Sequence, residues 1–367
     1  MNTVLWALLT ALCSPFLLTA AWLRKRPAKR KILIIQWAKL GDMVCTTPMF
    51  RAIKTSHPDW EVHLLCREQS AAVVKNNPFI DRVIVGGARG KMITMLSRER
   101  YDAVVNCLPG AFFSMLGLWC GARDRINAFS RLHGRLVLAA RILNTVNREY
   151  IIGTRTFDHY LSLLAPLGIP AIPYQLDFFP SAEDEAEAKR WTEEHGLKER
   201  SFVCFGVTAG NAVKEWPAEK FAELADLLIA RCGLCVALST LDRRRVEQIR
   251  KLSTHPEKLL DASSLTLGSL GAVCKLAAAF VSVDTGPMFM AHAVGTPIVV
   301  LIGGSDPREQ IPPAGERVVH VAPPGGCEPW MHVTLSPRSA TEAQLSCVRE
   351  TGAESVAAAV ETLIGRK

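Results

Sequence analysis

One stretch of the sequence, from Ala277 to Gly304, constrains the fold more than any other. It reads AAAFVSVDTGPMFMAHAVGTPIVVLIGG. The apolar run from Ala278 to Val283 predicts a buried strand, and the run from Ile298 to Ile302 predicts a second one. Between them, Pro287 suits the first position of a helix, and Gly295-Thr296-Pro297 ends that helix. This order of strand, helix and strand is typical of a parallel α/β sheet.

The turn inside this stretch, Asp284-Thr285-Gly286-Pro287-Met288, is a candidate phosphate site. It places a helix N-terminus at the carboxyl end of a parallel strand, where free N–H groups and the positive end of the helix dipole attract anions. The alternative is structural, because an aspartate or a threonine in this position also caps a helix. The pattern alone does not separate the two.

The N-terminal half repeats the same arrangement. An apolar strand from Lys31 to Trp37 is followed at once by Leu40-Gly41-Asp42, and a helix then continues to His57-Pro58. Further short apolar runs alternate with helical patterns up to about residue 120. Strands that alternate with helices predict a doubly wound parallel sheet.

A second domain begins after a proline-rich segment without periodicity, from Gly168 to Pro180. Its first strand spans Ser201 to Val207, and the loop from Thr208 to Lys214 follows. Trp216-Pro217 then opens an amphipathic helix. We expect this loop and the Asp284–Pro287 turn to lie at the same end of one sheet. A lysine beside a helix N-terminus is a suitable pair for binding a diphosphate.

The N-terminal tail carries most of the net charge of +8. Residues 24–31 read RKRPAKRK and hold six positive charges, whereas residues 4–23 are twenty uncharged, mostly apolar residues. Such a segment is long enough to cross a bilayer, and Trp6 and Trp22 lie near its ends, where indoles favour the interface. The segment predicts a membrane anchor with the rest of the chain on the cytoplasmic side, separable from catalysis. Pro15 leaves room for an interfacial helix, and a buried core helix is the alternative.

Two other patterns have ordinary explanations. The eleven cysteines show no convincing metal spacing, which fits a reduced cytoplasmic setting, and Cys232 and Cys235 are interpreted as small buried residues at a helix-to-strand turn. The arginine-rich run from Arg123 to Arg141 favours a solvated helix face. A basic surface for an anionic acceptor or for phospholipid headgroups is the alternative for that run.

Three motifs in this order resemble those of glycosyltransferase family 9, the heptosyltransferases of bacterial lipopolysaccharide synthesis. Leu40-Gly41-Asp42 with Thr47-Pro48 is similar to the first turn of that family, and Lys214-Glu215-Trp216-Pro217 is similar to its lysine-x-tryptophan-proline loop. Asp284-Thr285-Gly286-Pro287-Met288, followed by Gly295-Thr296-Pro297, is similar to its strongest signature. The resemblance extends from about Lys31 to the C-terminus.

The resemblance implies a GT-B type α/β fold, with two Rossmann-like doubly wound parallel-sheet domains facing across a cleft, here preceded by the apolar membrane segment. The implied domains are an anchor at 1–30, an acceptor domain at 31–175 and a donor domain at 176–367, with the last helix a candidate for packing back on the acceptor domain. The implied reaction is an inverting transfer of heptose from ADP-heptose to a lipopolysaccharide-core or related glycan at the cytoplasmic face of the bacterial inner membrane. It requires no cofactor and no bound metal, and it involves no nucleic acid.

The resemblance also implies roles for individual residues. Asp42 becomes the general base that deprotonates the acceptor hydroxyl, and Lys214, Thr285 and Gly286 hold the donor diphosphate. The complete set predicted to contact substrate is Gly41, Thr208, Gly210, Lys214, Asp284, Thr285, Gly286, Pro287 and Met288. A helix N-cap remains a sufficient structural reason for an aspartate at position 42.

The sequence departs from the family pattern at two places. Phe289 stands where the family usually has histidine, the nearest histidine being His292, and Ser239-Thr240 stand where glycines are usual. These departures leave open a transferase of the same fold that uses another nucleotide sugar, and an inactive nucleotide-sugar-binding membrane protein. A nucleotide-dependent oxidoreductase is a further alternative, which the missing G-x-G-x-x-G motif counts against.

Overall fold

The order of the strands in each half of the chain is that of a dinucleotide-binding sheet. A computed structural model describes residues 3–25 and 27–365, so Arg26 of the basic cluster lies outside the described residues. The chain divides into two compact units, Met1–Gln175 (unit 1) and Leu176–Lys367 (unit 2). Within the described residues, each unit contains one parallel six-stranded sheet.

The sheet of unit 1 has the order β3-β2-β1-β4-β5-β6. Its strands are β1 Lys31–Gln36, β2 Glu61–Cys66, β3 Arg82–Val85, β4 Ala103–Asn106, β5 Asp124–Phe129 and β6 Val146–Glu149. Its helices are α1 Thr3–Leu23, α2 Leu40–Ser56, α3 Glu68–Val74, α4 Arg89–Ser97, α5 Ala111–Trp119, α6 Arg135–Ala139 and α7 Thr156–Ser162. Short 3₁₀ turns follow at Ala140–Leu143 and Ala165–Leu167.

The strands of unit 2 are β7 Phe202–Gly206, β8 Cys235–Ser239, β9 Leu259–Asp261, β10 Ala279–Val283, β11 Ile298–Leu301 and β12 Val318–Val321. Its helices are α8 Ala182–Glu194, α9 Ala218–Cys232, α10 Arg243–Leu252, α11 Leu267–Leu276, α12 Gly286–Ala293, α13 Glu342–Arg349 and α14 Ala353–Leu363. The sheet order is β12-β11-β10-β7-β8-β9. If β7 to β12 are counted as the first to sixth strands of unit 2, this is the same 3-2-1-4-5-6 order as in unit 1. The doubly wound α/β prediction is therefore confirmed for both halves.

The core of unit 2 shows why the predicted helix after Trp216 forms. Four side chains at helical spacing, Phe221, Leu224, Ala225 and Leu228, are buried against the sheet in α9. The helix ends at Gly233 in the left-handed conformation, with φ of 64°. Cys232 and Cys235 flank this turn as free thiols, Cys232 buried as predicted and Cys235 half-buried. The last helix, α14, packs on α9 within its own unit.

One pair of cysteines departs from the prediction of reduced thiols. Cys327 and Cys347 form a disulfide that ties the segment after β12 to α13. The spacing of twenty residues contains no recognisable motif, so nothing in the sequence pattern indicated this pair. The other cysteines of the described residues are free, and most are buried.

The arginine-rich run from residue 123 to 141 forms the predicted solvated helix face only in its second part, where α6 has no buried residue. Its first part forms β5, and Arg125 is only 6% exposed. The Arg125 guanidinium donates hydrogen bonds to the carbonyl oxygens of Leu143 and Ala122, both at 2.6 Å. Because these carbonyls accept the hydrogen bonds of the buried guanidinium, the strand tolerates an arginine. That arginine interrupts the apolar run by which a buried strand is recognised in the sequence.

A row of asparagines crosses the same part of the sheet. Asn106, Asn127 and Asn147 are register partners on β4, β5 and β6. The amide of Asn106 donates to Asn127 Oδ1 at 2.8 Å, and the amide of Asn127 donates to Asn147 Oδ1 at 3.3 Å. Two of these side chains are almost completely buried, so their amides depend on one another for hydrogen bonds.

Helix α1 is long and apolar enough to cross a membrane by length and composition. It nevertheless packs against α5 within unit 1. The ring of Trp6 meets Trp119 edge-on with centroids 6.5 Å apart, and Trp119 Nε1 donates to Thr10 Oγ1 at 2.9 Å. Trp6 therefore contacts protein, which corrects its prediction as an interfacial indole. The tail is not structurally separate from unit 1.

We predict that Arg24→Ala destabilises unit 1 by about 1–3 kcal/mol, because it removes several hydrogen bonds at once. The Arg24 guanidinium donates to the carbonyl oxygens of Arg100, Tyr101 and Gly121 and to the Asp102 carboxylate. Chemical denaturation of the full chain measures the change. Lys29→Ala, an exposed change in the same basic cluster, is the control. Equal denaturation midpoints for the two variants would contradict this role of Arg24.

Candidate active site

The strand order brings the two predicted loops of unit 2 together. Strands β7 and β10 are hydrogen-bonded neighbours at the centre of the sheet, with Phe205 paired to Val281 and Gly206 paired to Ser282. The chain leaves β7 for β8 on one side and leaves β10 for β11 on the other. Ligands of doubly wound sheets bind at this reversal of strand order, outside the carboxyl ends of the strands.

An ion pair joins the two loops. Lys214 Nζ lies 2.5 Å from Asp284 Oδ2, and the hydroxyl of Ser305 donates to the same oxygen at 2.8 Å. The Lys214 and Asp284 side chains are 18% and 9% exposed. A lysine ammonium has three donors, so the pairing with Asp284 fixes its position and leaves capacity for a further acceptor. Asp284 therefore orients Lys214.

The N-terminus of α12 is not capped by a side chain. Thr285 is the N-cap residue, but its side chain makes no capping hydrogen bond, and the Asp284 carboxylate is directed to Lys214 and Ser305. The structural alternative of a helix cap is therefore wrong for both residues. Gly286 and Pro287 form the first turn and are half-buried. The arrangement combines a helix N-terminus with a lysine, which suits an anion.

Met288 differs from the other predicted contact residues. Its side chain is completely buried, and its backbone N–H donates to the Thr285 carbonyl at 3.1 Å. It belongs to the core beneath the turn. The motif thus contains four half-buried positions, from Asp284 to Pro287, and one fully buried position that packs behind them.

The loop after β7 is held by its own polar contacts. The hydroxyls of Thr208 and Thr240 lie 2.8 Å apart, and the backbone N–H of Ala209 donates to the Glu215 carboxylate at 3.1 Å. The Asn211 amide donates to the Pro337 carbonyl at 2.8 Å. Gly210 lies at the exposed tip of this loop. Lys214 ends a short 3₁₀ turn, which points the chain back toward α9.

Trp216 anchors the lysine loop in the core. Its ring is fully buried, and its Nε1 donates to the Thr351 carbonyl at 3.1 Å. Arg245 donates to the Trp216 carbonyl at 2.5 Å, and the Phe221 ring lies 4.9 Å away. The tryptophan of the lysine-x-tryptophan-proline motif is therefore structural. It fixes the backbone two residues from Lys214.

Ser305 was not predicted from the sequence, and Glu215 and Thr240 were noted there only as parts of the family motifs, without a role in the site. Ser305 follows β11, the strand next to β10, and it is 9% exposed. Its neighbour Gly304 must be a glycine, because an added Cβ would lie 2.2 Å from Trp330 Nε1. The position of Ser305 after a buried strand and two glycines is a signal that topology reasoning can use.

The nearest histidine does not replace the one that family 9 usually has. His292 lies in the last turn of α12, at the opposite end from the Asp284–Pro287 turn. Burial, with a contribution from the Arg317 charge, lowers the pKa of His292 to about 4, so the ring is neutral near pH 7. Phe289 is 1% exposed and packs in the core.

One group of side chains close to Ser305 has the composition of a metal site. Asp306, Glu309 and His332 bring their ligand atoms within 4.8 Å of one another. Asp306 is bound by Arg308 at 2.6 Å, while Glu309 accepts from His332 and from the Val333 N–H. The Arg308 hydrogen bond lowers the pKa of Asp306. These partners satisfy the carboxylates, so the group acts as a support for the loop behind Ser305.

The predicted residues of unit 1 lie at the corresponding position in the first sheet. Gly41 and Asp42 are in the first turn of α2, directly after β1, and β1 neighbours β4 at the reversal of strand order. Lys39 is the N-cap residue, so the interpretation of Asp42 as an N-cap is wrong. Asp42 is half-buried near Tyr160, whose pKa is raised by burial and further by the Asp42 charge.

The comparisons with known proteins identify the family of the chain. The family model for glycosyltransferase family 9 (heptosyltransferase) matches residues 89–336, more than half of the chain. Lipopolysaccharide heptosyltransferase 3 of Escherichia coli K12 is 29% identical over 283 residues, which cover 72% of this chain and 80% of that protein.

Two solved structures show the same fold. The family 9 glycosyltransferase of Veillonella parvula superposes with a TM-score of 0.74 at 23% identity and covers 91% of this chain and 97% of its own. The Escherichia coli ADP-heptose lipopolysaccharide heptosyltransferase II has a TM-score of 0.72 at 19% identity, with coverages of 91% and 98%. Because the family model matches more than half of the chain, the chain belongs to glycosyltransferase family 9 and is a glycosyltransferase.

Proposed function

We propose that this glycosyltransferase moves a heptose from ADP-heptose to a lipopolysaccharide-core or related glycan acceptor. The observation that carries the proposal is the anion site of unit 2, where Lys214 and the uncapped N-terminus of α12 meet at the reversal of strand order. Similarity to heptosyltransferases, one of them named for ADP-heptose, supports the choice of donor.

The proposed roles divide between the two parts of the chain. Residues 176–367 bind the donor, and residues 31–175 bind the acceptor. Lys214 and the backbone N–H groups of Thr285 and Gly286 hold the diphosphate, with Gly210 and Thr208 beside it on the loop after β7. Asp42 is the general base, and Gly41 allows the backbone to approach the acceptor closely.

The proposed reaction is a single displacement. The acceptor oxygen forms a bond to the anomeric carbon as the bond from that carbon to the diphosphate oxygen breaks, so the configuration inverts. Asp42 takes the proton of the acceptor hydroxyl. Negative charge develops on the departing ADP, and Lys214 with the helix dipole stabilises that charge in place. Asp284 contributes indirectly, because it positions Lys214.

A second candidate is a transferase of the same fold that uses another nucleotide sugar. Thr240 favours it, because a hydroxyl pair with Thr208 stands at the carboxyl end of β8, where glycines would leave open space. An inactive nucleotide-sugar-binding protein is the third candidate. Both share the anion site with the proposed enzyme.

The proposed location is the cytoplasmic face of the bacterial inner membrane, with attachment through residues 4–31. The support is the apolar α1 followed by the basic cluster. Acidic lipids attract such clusters with about 1 kcal/mol for each basic residue near the surface.

We predict that Lys214→Ala lowers the affinity for ADP about ten- to a hundredfold, since it removes a charged hydrogen bond to the diphosphate. Calorimetry with ADP measures the effect, and a donor-hydrolysis screen with ADP-, UDP- and GDP-sugars identifies the donor without knowledge of the acceptor. Lys220→Ala, a change of a lysine on α9 whose side chain is 35% exposed, is the matched control.

The change at Lys214 also leaves the Asp284 carboxylate unpaired. The double variant Lys214→Ala/Asp284→Asn removes that carboxylate charge, so its melting temperature should approach the parent value while its ADP affinity stays low. Unchanged ADP affinity in folded Lys214→Ala would remove this lysine from the site. Preferred hydrolysis of a UDP- or GDP-sugar would favour the second candidate.

We predict that Asp42→Asn lowers turnover at least about a hundredfold, because it removes the base while keeping the shape of the side chain. Melting temperature and ADP affinity should remain near those of the parent enzyme. Steady-state transfer assays with the donor found in the screen measure the effect. Asp59→Asn, an exposed change in the same unit, is the control. Turnover within a few-fold of the parent would show that Asp42 is not the base.

A further inference from the structure

Helix α1 lies along unit 1 over its whole length. Near its N-terminus, Trp6 and Thr10 contact Trp119 of α5. Near its C-terminus, Ala21 is buried, with 2% of its surface exposed. The helix is therefore held at both ends by the globular unit.

The chain leaving α1 is fixed as well. Arg24 is the first residue after the helix, and its guanidinium binds the backbone carbonyls of residues 100, 101 and 121. In return, Arg123 donates to the Arg24 carbonyl at 2.8 Å. A helix that crossed the bilayer as an independent segment would lose the contacts with Trp119 and would be strained against this anchor point.

The two faces of α1 differ in side-chain size. The side chains that face unit 1 are mostly small, with Trp6 and Leu17 the two large exceptions: Thr3, Ala7, Thr10, Cys13, Ser14 and Ala21. Large apolar side chains face outward: Val4, Leu5, Leu8, Leu12, Phe16, Trp22 and Leu23. Leu8 and Leu12 are 64% and 79% exposed. Small inner residues permit close packing on α5, and the outer face forms an apolar stripe that water does not favour.

The positive charge next to the apolar stripe indicates which kind of partner binds this face of α1. The chain has no acidic residue before Asp42, and the helix is followed by a basic cluster in which Lys25 and Lys29 are exposed. An anionic phospholipid surface matches both the apolar stripe and the positive charge. A second copy of the chain matches less well, because its own α1 is followed by the same basic cluster and supplies no opposite charge.

We propose that α1 is an in-plane membrane anchor that stays packed on α5 and presents its outer face to an anionic bilayer. An isolated interfacial helix needs a polar face toward water, but here unit 1 takes the place of that face. Unit 1 then rests directly on the membrane surface. This inference rests on the membrane attachment proposed above and is independent of which sugar is transferred.

Topology is the direct test. The full chain is made with a protease-cleavable epitope tag before Met1, and a second version carries the same tag after Lys367. Both are expressed and examined in sealed inside-out inner-membrane vesicles. An in-plane helix leaves both tags on the exposed cytoplasmic face, so added protease removes both. A spanning helix protects the N-terminal tag until detergent is added, and that result would overturn the inference.

Variants of the outer face test the contact itself. Leu8→Glu and Leu12→Glu change exposed side chains, so the fold is retained, and each should weaken binding to phosphatidylethanolamine–phosphatidylglycerol vesicles roughly tenfold or more. Leu252→Glu, an exposed apolar residue of α10 in unit 2, should leave vesicle binding unchanged.

The remaining outcomes are distinguishable. If the parent protein binds neither vesicles nor inner membranes, the membrane attachment itself is wrong, and this inference falls with it. If Leu12→Glu converts a dimer to a monomer and leaves vesicle binding unchanged, the outer face is covered by a second copy and the inference is overturned. ADP binding, measured alongside, reports separately on the proposed donor site.

Discussion

The reversal of strand order decides which loops of this protein can meet. In a parallel sheet, the carboxyl ends of all strands lie at the same edge. Two neighbouring strands have their following helices on opposite faces only where the strand order reverses. In unit 2 those strands are β7 and β10, and in unit 1 they are β1 and β4. The Lys214 loop, the Asp284 turn and the Gly41-Asp42 turn all follow such strands. The strand order alone therefore determines where these three segments lie, whatever side chains they carry.

The Lys214–Asp284 ion pair then sets the electrostatics of the unit 2 edge. A mostly buried lysine without a partner would carry a desolvation cost, and Asp284 offsets it. The same carboxylate would repel an anion if it lay free in the site. Because it is bound by Lys214 and Ser305 together, its charge is compensated, and the remaining donor capacity of the ammonium is available to a ligand. The position of the ammonium is thus set by contacts within unit 2 itself.

Much of this arrangement could be predicted from the sequence. The stretch from Ala277 to Gly304 predicted β10, α12 and β11 within a residue or two, because buried parallel strands are continuous apolar runs and Pro287 marks a helix start. The two Rossmann-like sheets followed from the alternation of such runs. The motif residues Gly210, Lys214 and Asp284 were found because they follow those strands.

What the sequence did not reveal depends on long-range contacts. β5 was missed because it contains a charged residue, Arg125. The carbonyl oxygens that accept its hydrogen bonds and allow its burial are brought near only by the fold. The strands β6, β9 and β12 are three or four residues long, and each includes a polar or charged side chain, so none forms an apolar run like that of β11. Ser305 and the Cys327–Cys347 pair depend on chain segments that meet only in three dimensions. The packing of α1 was hidden because a helix apolar all round gives no sign of which side faces protein.

The asparagine row of unit 1 has a consequence for how this sheet tolerates change in length. Each amide is matched to the one on the next strand, so the three strands share a single register at that rung. Insertion of one residue into β5 would turn Asn127 to the other face of the sheet and leave the buried Asn106 amide without its acceptor. Apolar side chains at these positions would remain buried after a shift in strand register. The asparagine side chains keep their hydrogen bonds in only one register. Insertions and deletions are therefore far better tolerated in the loops that follow these strands than within the strands themselves.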